Sequence, residues 1–215
     1  MPRNIERDAQ RMEQRKMQLL NAGFELFAEH GIESVSLQEV AKKADVPIAT
    51  LYKYYQNKVN LVVSISANTW GNVWKKILEE DNKELLFSRN AYEMVEFYCD
   101  IIIDIYKKKP QILCFSSNFK TYLTREGASD EQVKEQIDTL KPISDLFHAK
   151  YEQAKENHCI RTDIPEQELF STLALTMLGM AERYAQGLVW AKTDSEDSTK
   201  ALMNIKEMLL QWLVK

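Results

Sequence analysis

Residues 36–58 read SLQEVAKKADVPIATLYKYYQNK, and this stretch decides the fold. Ser36 and Glu39 form an S-x-x-E capping box, which satisfies the open amides at a helix start. Leu37, Val40, Ala41 and Ala44 then fall on one face, as a short amphipathic helix requires. Asp45-Val46 reads as a turn. Pro47 suits the start of the next helix, where its missing N–H would be unpaired in any case. Leu51 and Tyr55 are four residues apart and point inward together. Ile48, Ala49, Tyr52 and Lys53 are therefore left on the outer side. Two short helices with a tight turn and a small, aromatic, basic second helix have the layout of a helix-turn-helix, whose second helix enters the major groove of DNA.

Outward from this segment, the pattern is helical in both directions. Upstream, Leu19, Ala22, Gly23, Leu26 and Phe27 make one apolar stripe. That helix is expected from about Ala9 or later to His30, with Gly31 supplying the left-handed residue after it. Downstream, Asn57 is an N-cap for a long helix to roughly Glu80. A single helix is expected from Ser88 to Lys109, apolar nearly all round (Tyr98, Ile101, Ile102, Ile103, Ile105) and hence central. Pro110 opens another. Ser129 and Gln132 form a capping box for the next, in which Pro142 predicts a kink or break. Asp163-Ile164-Pro165 starts a helix to about Trp190, and the last begins near Ser195. Loops are expected near 81–87, 125–129, 159–164 and 191–197. Gly and Pro total 11 of 215 residues, about half of ordinary usage, which also favours an all-α fold of about nine helices. Residues 1–60 form the expected DNA-binding domain, and 61–215 a helical effector-binding and dimerisation domain.

Composition excludes several classes. No apolar run approaches the roughly 18 residues of a membrane span, and the charged start MPRNIERDAQRMEQRK lacks the apolar centre of a signal peptide. A cytoplasmic protein is expected. Cys99, Cys114 and Cys159 are an odd set without C-x-x-C spacing, so they read as small buried residues, not disulfides or zinc ligands. His148, His158, Cys159 and Asp163 are poorly spaced for a metal. No phosphate-cradling glycine loop or nucleophile motif is present, and neither enzyme nor cofactor is expected. Net charge is −4, but residues 1–60 carry nine basic and eight acidic side chains, leaving the acidity in the rest. Arg3, Arg7, Arg11 and Arg15 recur every four residues, either as a basic face following phosphates or as a solvated terminus.

The run LLNAGFELFAEHGIESVSLQEVAKKADVPIATLYKYYQNKVNL resembles the DNA-binding domain of TetR-type transcriptional regulators. The resemblance covers roughly residues 17–61. It rests on Phe27, Gly31, Ser36, Val40-Ala41, Ala44, Val46, Leu51-Tyr52-x-Tyr54-Tyr55 and Asn57-Lys58-x-x-Leu61. It implies a homodimeric, ligand-responsive regulator, most often a repressor, that reads a palindromic operator on double-stranded DNA. By the same resemblance, Thr50, Tyr54 and Lys58 match backbone-contacting positions, and Pro47, Ile48, Ala49, Tyr52 and Lys53 match positions near bases. Ala49 stands where the family usually has a glycine. Two further residues depart from the family pattern: Ile48 replaces a basic or polar residue, and Asp45 replaces the glycine before the turn. These departures support a second reading, a protein of the same fold acting through protein–protein contacts as a co-activator or adaptor.

The residue chemistry points the same way. Lys53 can donate to guanine O6 or N7. Tyr52 and Tyr54 carry hydroxyl tips for phosphate. Lys58 joins its charge to free amides at a helix start, and Ser36 offers a further phosphate contact. In the body, Leu169, Leu173, Met177, Met180, Tyr184 and Leu188 form one stripe, and Leu202, Ile205, Leu209 and Trp212 another. Two such helices can pair with their two-fold copies as a four-helix bundle. Trp70, Trp74, Tyr98, Tyr106, Phe115, Phe119, Tyr122, Met177 and Met180 are the candidates for a pocket that takes a small apolar or aromatic effector.

Overall fold

The computed structural model describes residues 5–80, 83–189 and 195–214. Ten helices run through them: α1 Ile5–His30, α2 Leu37–Lys43, α3 Ile48–Tyr55, α4 Lys58–Glu80, α5 Lys83–Ser88, α6 Ala91–Lys108, α7 Pro110–Glu126, α8 Asp130–Asn157, α9 Glu166–Ala185 and α10 Ser195–Leu213. The fold is all-α, with an N-terminal helix-turn-helix. No helix among the described residues is long and apolar enough to cross a membrane. The three cysteines are free thiols.

Cα packing separates two compact units. One takes in the chain up to Gly71 together with Asn118–Thr139; the other comprises Asn72–Ser117 and Leu140–Lys215. In the first unit, Leu19, Phe27, Val40, Leu51, Leu61 and Val62 are sealed from solvent. They come from α1, α2, α3 and α4, so the helix-turn-helix is held on one small core. In the second, α6 packs against α9 and α10, and α9 against α10. The run Ile101-Ile102-Ile103 on α6 is buried, but the helix is not apolar all round: Glu93, Asp100, Asp104 and Lys107 keep one stripe of it in solvent.

Local signals set most boundaries. At α2, the Glu39 amide donates to Ser36 Oγ at 3.2 Å, and the Ser36 amide donates to Glu39 Oε2 at 2.7 Å. The Ser36 amide and the Ser36 hydroxyl, both donating to Glu39 Oε2, hold the Glu39 carboxyl below its ordinary range. Asn57 Oδ1 accepts from the Asn60 amide at 2.9 Å and starts α4. Ser129 and Gln132 pair in the same way before α8. Gly31 follows α1 at φ +82°, a conformation that costs glycine little.

Four expectations are corrected. Helix α1 begins at Ile5, not near Ala9; Arg7, Arg11 and Arg15 are exposed along it, while Arg3 lies outside the described residues. The stretch 81–87 is not all loop: α5 occupies Lys83–Ser88, and a second capping box, Asn90 with Glu93, restarts the chain as α6. Helix α8 runs through Pro142 without a break. Pro142 is exposed, so water can satisfy the carbonyl its ring leaves without a donor. Helix α9 ends at Ala185, because Gly187 at φ +68° turns the chain and its amide donates back to the Tyr184 carbonyl at 3.1 Å. Leu188 therefore lies beyond the helix, and Trp190 lies outside the described residues.

The α2 cap yields a measurable expectation. Ser36→Ala should lower unfolding stability by about 1 kcal/mol in urea titrations at pH 7. A depressed carboxyl stabilises the fold above its unfolded pKa and ceases to do so as pH falls through the folded one. The stability difference between wild type and Glu39→Gln should therefore be present at pH 7 and shrink below pH 4.5.

Candidate nucleic-acid interface

The turn before α3 is built around Asp45, which takes φ +52°. Aspartate tolerates this region better than most side chains. The Asp45 amide donates to the Lys42 carbonyl and the Val46 amide to the Ala41 carbonyl. Pro47 caps α3 at φ −55°, and the Thr50 and Leu51 amides both donate to its carbonyl. With Leu51 and Tyr55 buried, Ala49, Tyr52 and Lys53 are exposed, Tyr52 by 43%. Pro47 is exposed beside them, and Ile48 and Thr50 are half-buried. The helix thus presents a narrow face with one ammonium, one phenol and small apolar groups. That face fits the major groove in size and donor chemistry.

The flanking residues are more occupied. The half-buried Tyr54 stacks edge-on with Tyr55 at 6.4 Å and lies under Lys16 Nζ of α1 at 6.0 Å from the ring centroid. Ser36, half-buried, uses its hydroxyl in the α2 cap. Lys58 turns inward: its Nζ lies 5.8 Å from the Phe27 ring centroid and 5.6 Å from that of Tyr122, and it donates to the Glu33 carbonyl at 3.4 Å. Burial lowers its pKa, opposed by Glu126, Glu33 and Glu39. Burial also pushes the Tyr122 hydroxyl up to about 12. Arg125 pairs with Glu33 beside this group. The end of α7 is thereby fastened to the loop before α2, a link that sequence spacing could not reveal.

In the second unit, a cavity of about 450 Å³ opens among α6, α8 and α9. Val95, Tyr98, Phe147, Phe170, Leu173 and Ala174 give it apolar walls, and Ser144, Glu166, Gln167 and Ser171 its polar groups. Phe147 lies 5.0 Å from Phe170 and 6.4 Å from Tyr98, centroid to centroid. Of the nine pocket candidates named from the sequence, only Tyr98 lines this cavity. Tyr98 and Trp74 also line a smaller void with Leu86, Met94 and Phe147. Trp70, Phe119 and Tyr122 belong to the first unit. Tyr106 packs edge-on against Tyr184, and Phe115 and Met177 are sealed in the core. Met180 is half-buried and lines none of the cavities described. The rings that build the cavity, Phe147 and Phe170, had only their aromatic character as a signal.

The stripes expected to meet a partner are largely spent within the chain. Leu169, Leu173, Met177, Leu202 and Leu209 are buried, because α9 packs on α6 and α10. Ile205, Tyr184 and Trp212 are half-buried, the last under the Arg161 guanidinium. Leu188 of the first stripe is exposed (55%) beyond the end of α9, and the exposed apolar side chains on the two helices themselves are Leu175 (65%), Met208 (57%) and Met203 (50%).

These features define a protein with a helix-turn-helix head and a separate helical body. Residues 19–65 match the family model for bacterial regulatory proteins of the tetR family. The HTH-type transcriptional repressor KstR of Mycobacterium tuberculosis is 24% identical over 150 residues, covering 66% of each chain. The fatty acid metabolism regulator protein of Bacillus subtilis is 30% identical over 79 residues, 37% of this chain and 40% of that one. The chain thus spans less than two thirds of the length of these curated relatives. Among solved structures, the transcriptional regulator FadR from Bacillus subtilis in complex with stearoyl-CoA aligns with a TM-score of 0.68 at 18% identity, over 92% of this chain and 98% of that one. A TetR family regulator from Marinobacter aquaeolei aligns at 0.67 and 20%, over 95% and 98%. The N-terminal segment thus matches the tetR family model, and the chain shares its fold with solved TetR family regulators.

The two lysines should separate in a thermal melt. Lys58→Ala removes a cation from two rings, each contact contributing about 0.5–2 kcal/mol, and should lower the melting temperature. Lys53→Ala, on the exposed face of α3, should leave it unchanged within error.

Proposed function

We propose that this chain is a cytoplasmic, ligand-responsive transcriptional regulator, a repressor, that acts as a homodimer and performs no catalysis. The observation that supports this most is the exposed face of α3, with Tyr52 and Lys53 outward over buried Leu51 and Tyr55. In this reading residues 1–60 bind double-stranded DNA, and residues 61–215 bind the effector and dimerise. Pro47, Ile48, Ala49, Tyr52 and Lys53 approach base edges. Ser36, Thr50, Tyr54 and Lys58 serve the phosphate backbone, Lys58 by swinging out from between Phe27 and Tyr122. Two copies related by a two-fold axis read half-sites about one helical turn or a multiple of it apart. Dimerisation uses α9 and α10 through Leu175, Met203 and Met208, the apolar side chains they leave in solvent.

The effector is an apolar molecule held among Tyr98, Phe147 and Phe170. One relative is named for fatty acid metabolism, and one structure of similar fold holds stearoyl-CoA, so a long-chain acyl compound is the first ligand to try.

Binding to fragments of the native genome tests the reading. Specific sites should emerge, and Lys53→Ala should weaken them by about 1–3 kcal/mol while relaxing preference at one base position. Stearoyl-CoA or a related acyl compound should release the DNA. Equal retention of all fragments by wild type and by a Lys53→Ala, Tyr54→Ala double variant would rule the reading out.

A further inference from the structure

Away from the head, three side chains capable of binding a metal converge where α8 meets the start of α9. His148 and Glu152 stand four residues apart on α8 and share a face. Glu166 is the first residue of α9. One ligand atom from each lies within 4.8 Å of the other two. His148 Nδ1 and Glu166 Oε2 are 2.8 Å apart. We propose that His148, Glu152 and Glu166 bind a divalent transition-metal ion, zinc in the first instance, that ties α8 to α9.

The donor set favours this class of ion. One imidazole with two carboxylates suits zinc and its neighbours, whereas magnesium and calcium take oxygen shells. Zinc bonds of roughly 2.0–2.2 Å place tetrahedral ligand atoms about 3.4 Å apart. Atoms already within 4.8 Å reach that spacing by small rotations of the exposed His148 and Glu152 side chains about the half-buried Glu166. Two existing pairs compete: His148 with Glu166, and Glu152 with Lys155 Nζ at 2.6 Å. His148, Glu152 and Lys155 are solvent-exposed and Glu166 is half-buried, and ion pairs at such open positions hold weakly. Three protein ligands leave a fourth corner for water or an incoming oxygen. Glu166 also lines the 450 Å³ cavity, whose lining includes no lysine or arginine. The ion would bring positive charge to the edge of that cavity.

The spacing of the sequence hid this site. His148 and Glu152 were separated from Glu166 by the end of α8 and the loop after it, and the nearer candidates His158, Cys159 and Asp163 are not among the converging ligands.

The test uses the full chain, stripped of metal and titrated with zinc chloride by calorimetry, with cobalt(II) absorption as a second readout. The expected result is one ion per chain and tetrahedral cobalt bands. His148→Ala and Glu166→Gln should each weaken binding at least tenfold, with melting curves of the metal-free variants confirming that they fold. Lys155→Ala removes the competitor for Glu152 and should tighten binding several-fold; a chance association with surface acids has no reason to respond that way. Millimolar magnesium should not displace zinc. Absence of saturable binding, binding that survives His148→Ala, or weaker binding in Lys155→Ala would overturn the proposal. None of these readouts involves DNA, so the outcome is separate from that of the regulatory reading.

Discussion

Leu51 and Tyr55 go into the core of the head, and that choice orients every other group on α3. Each buried side chain of this size contributes on the order of 1.5–3 kcal/mol. Turning the helix by about half a turn would expose them and bury Lys53, whose charge would then need a partner. The turn at Asp45 and the cap at Pro47 hold the helix at the angle that this burial requires. Surface chemistry on α3 is thus a by-product of core packing, and Tyr52 and Lys53 face outward because their neighbours cannot.

The rest of the first unit reinforces the same arrangement. Lys58 between Phe27 and Tyr122, with Arg125 on Glu33, fastens α7 to the head's own loop. A lysine placed by the family pattern at the DNA backbone therefore also has a structural task. In the second unit the constraint is different. Helix α6 is apolar around most of its circumference and must be enclosed, so α9 and α10 close over it. That enclosure consumes the regular leucine stripes and leaves Leu175, Met203 and Met208 outside.

Features encoded by neighbouring residues were legible in the sequence. The Ser36–Glu39 box, the Asn57 cap, Gly31 and the Pro47 start are all short-range devices, and each stands where its chemistry placed it. The outward face of α3 followed from a two-residue burial pattern. Helix α5 did not, because six residues hold too few turns to show a period, although Asn90 and Glu93 marked the restart that followed. The end of α9 was overrun because the apolar stripe continues past the glycine that stops the helix. An apolar stripe says that a face is covered and is silent about what covers it: within this chain α6, α9 and α10 cover much of both stripes, and Leu188 stays exposed. The cavity was hidden for the same reason: Phe147 and Phe170 meet only through the packing of α8 on α9.

The most direct measurement is a dimethyl sulfate interference experiment on a DNA fragment that the full-length chain retains. Methylation of guanine N7 blocks the major groove edge that the proposed reading assigns to Lys53. The account predicts two clusters of interfering guanines on one side of the duplex, related by a two-fold axis, with one guanine in each cluster silent in Lys53→Ala. Interference scattered evenly along the fragment, or a pattern unchanged by that substitution, would contradict it.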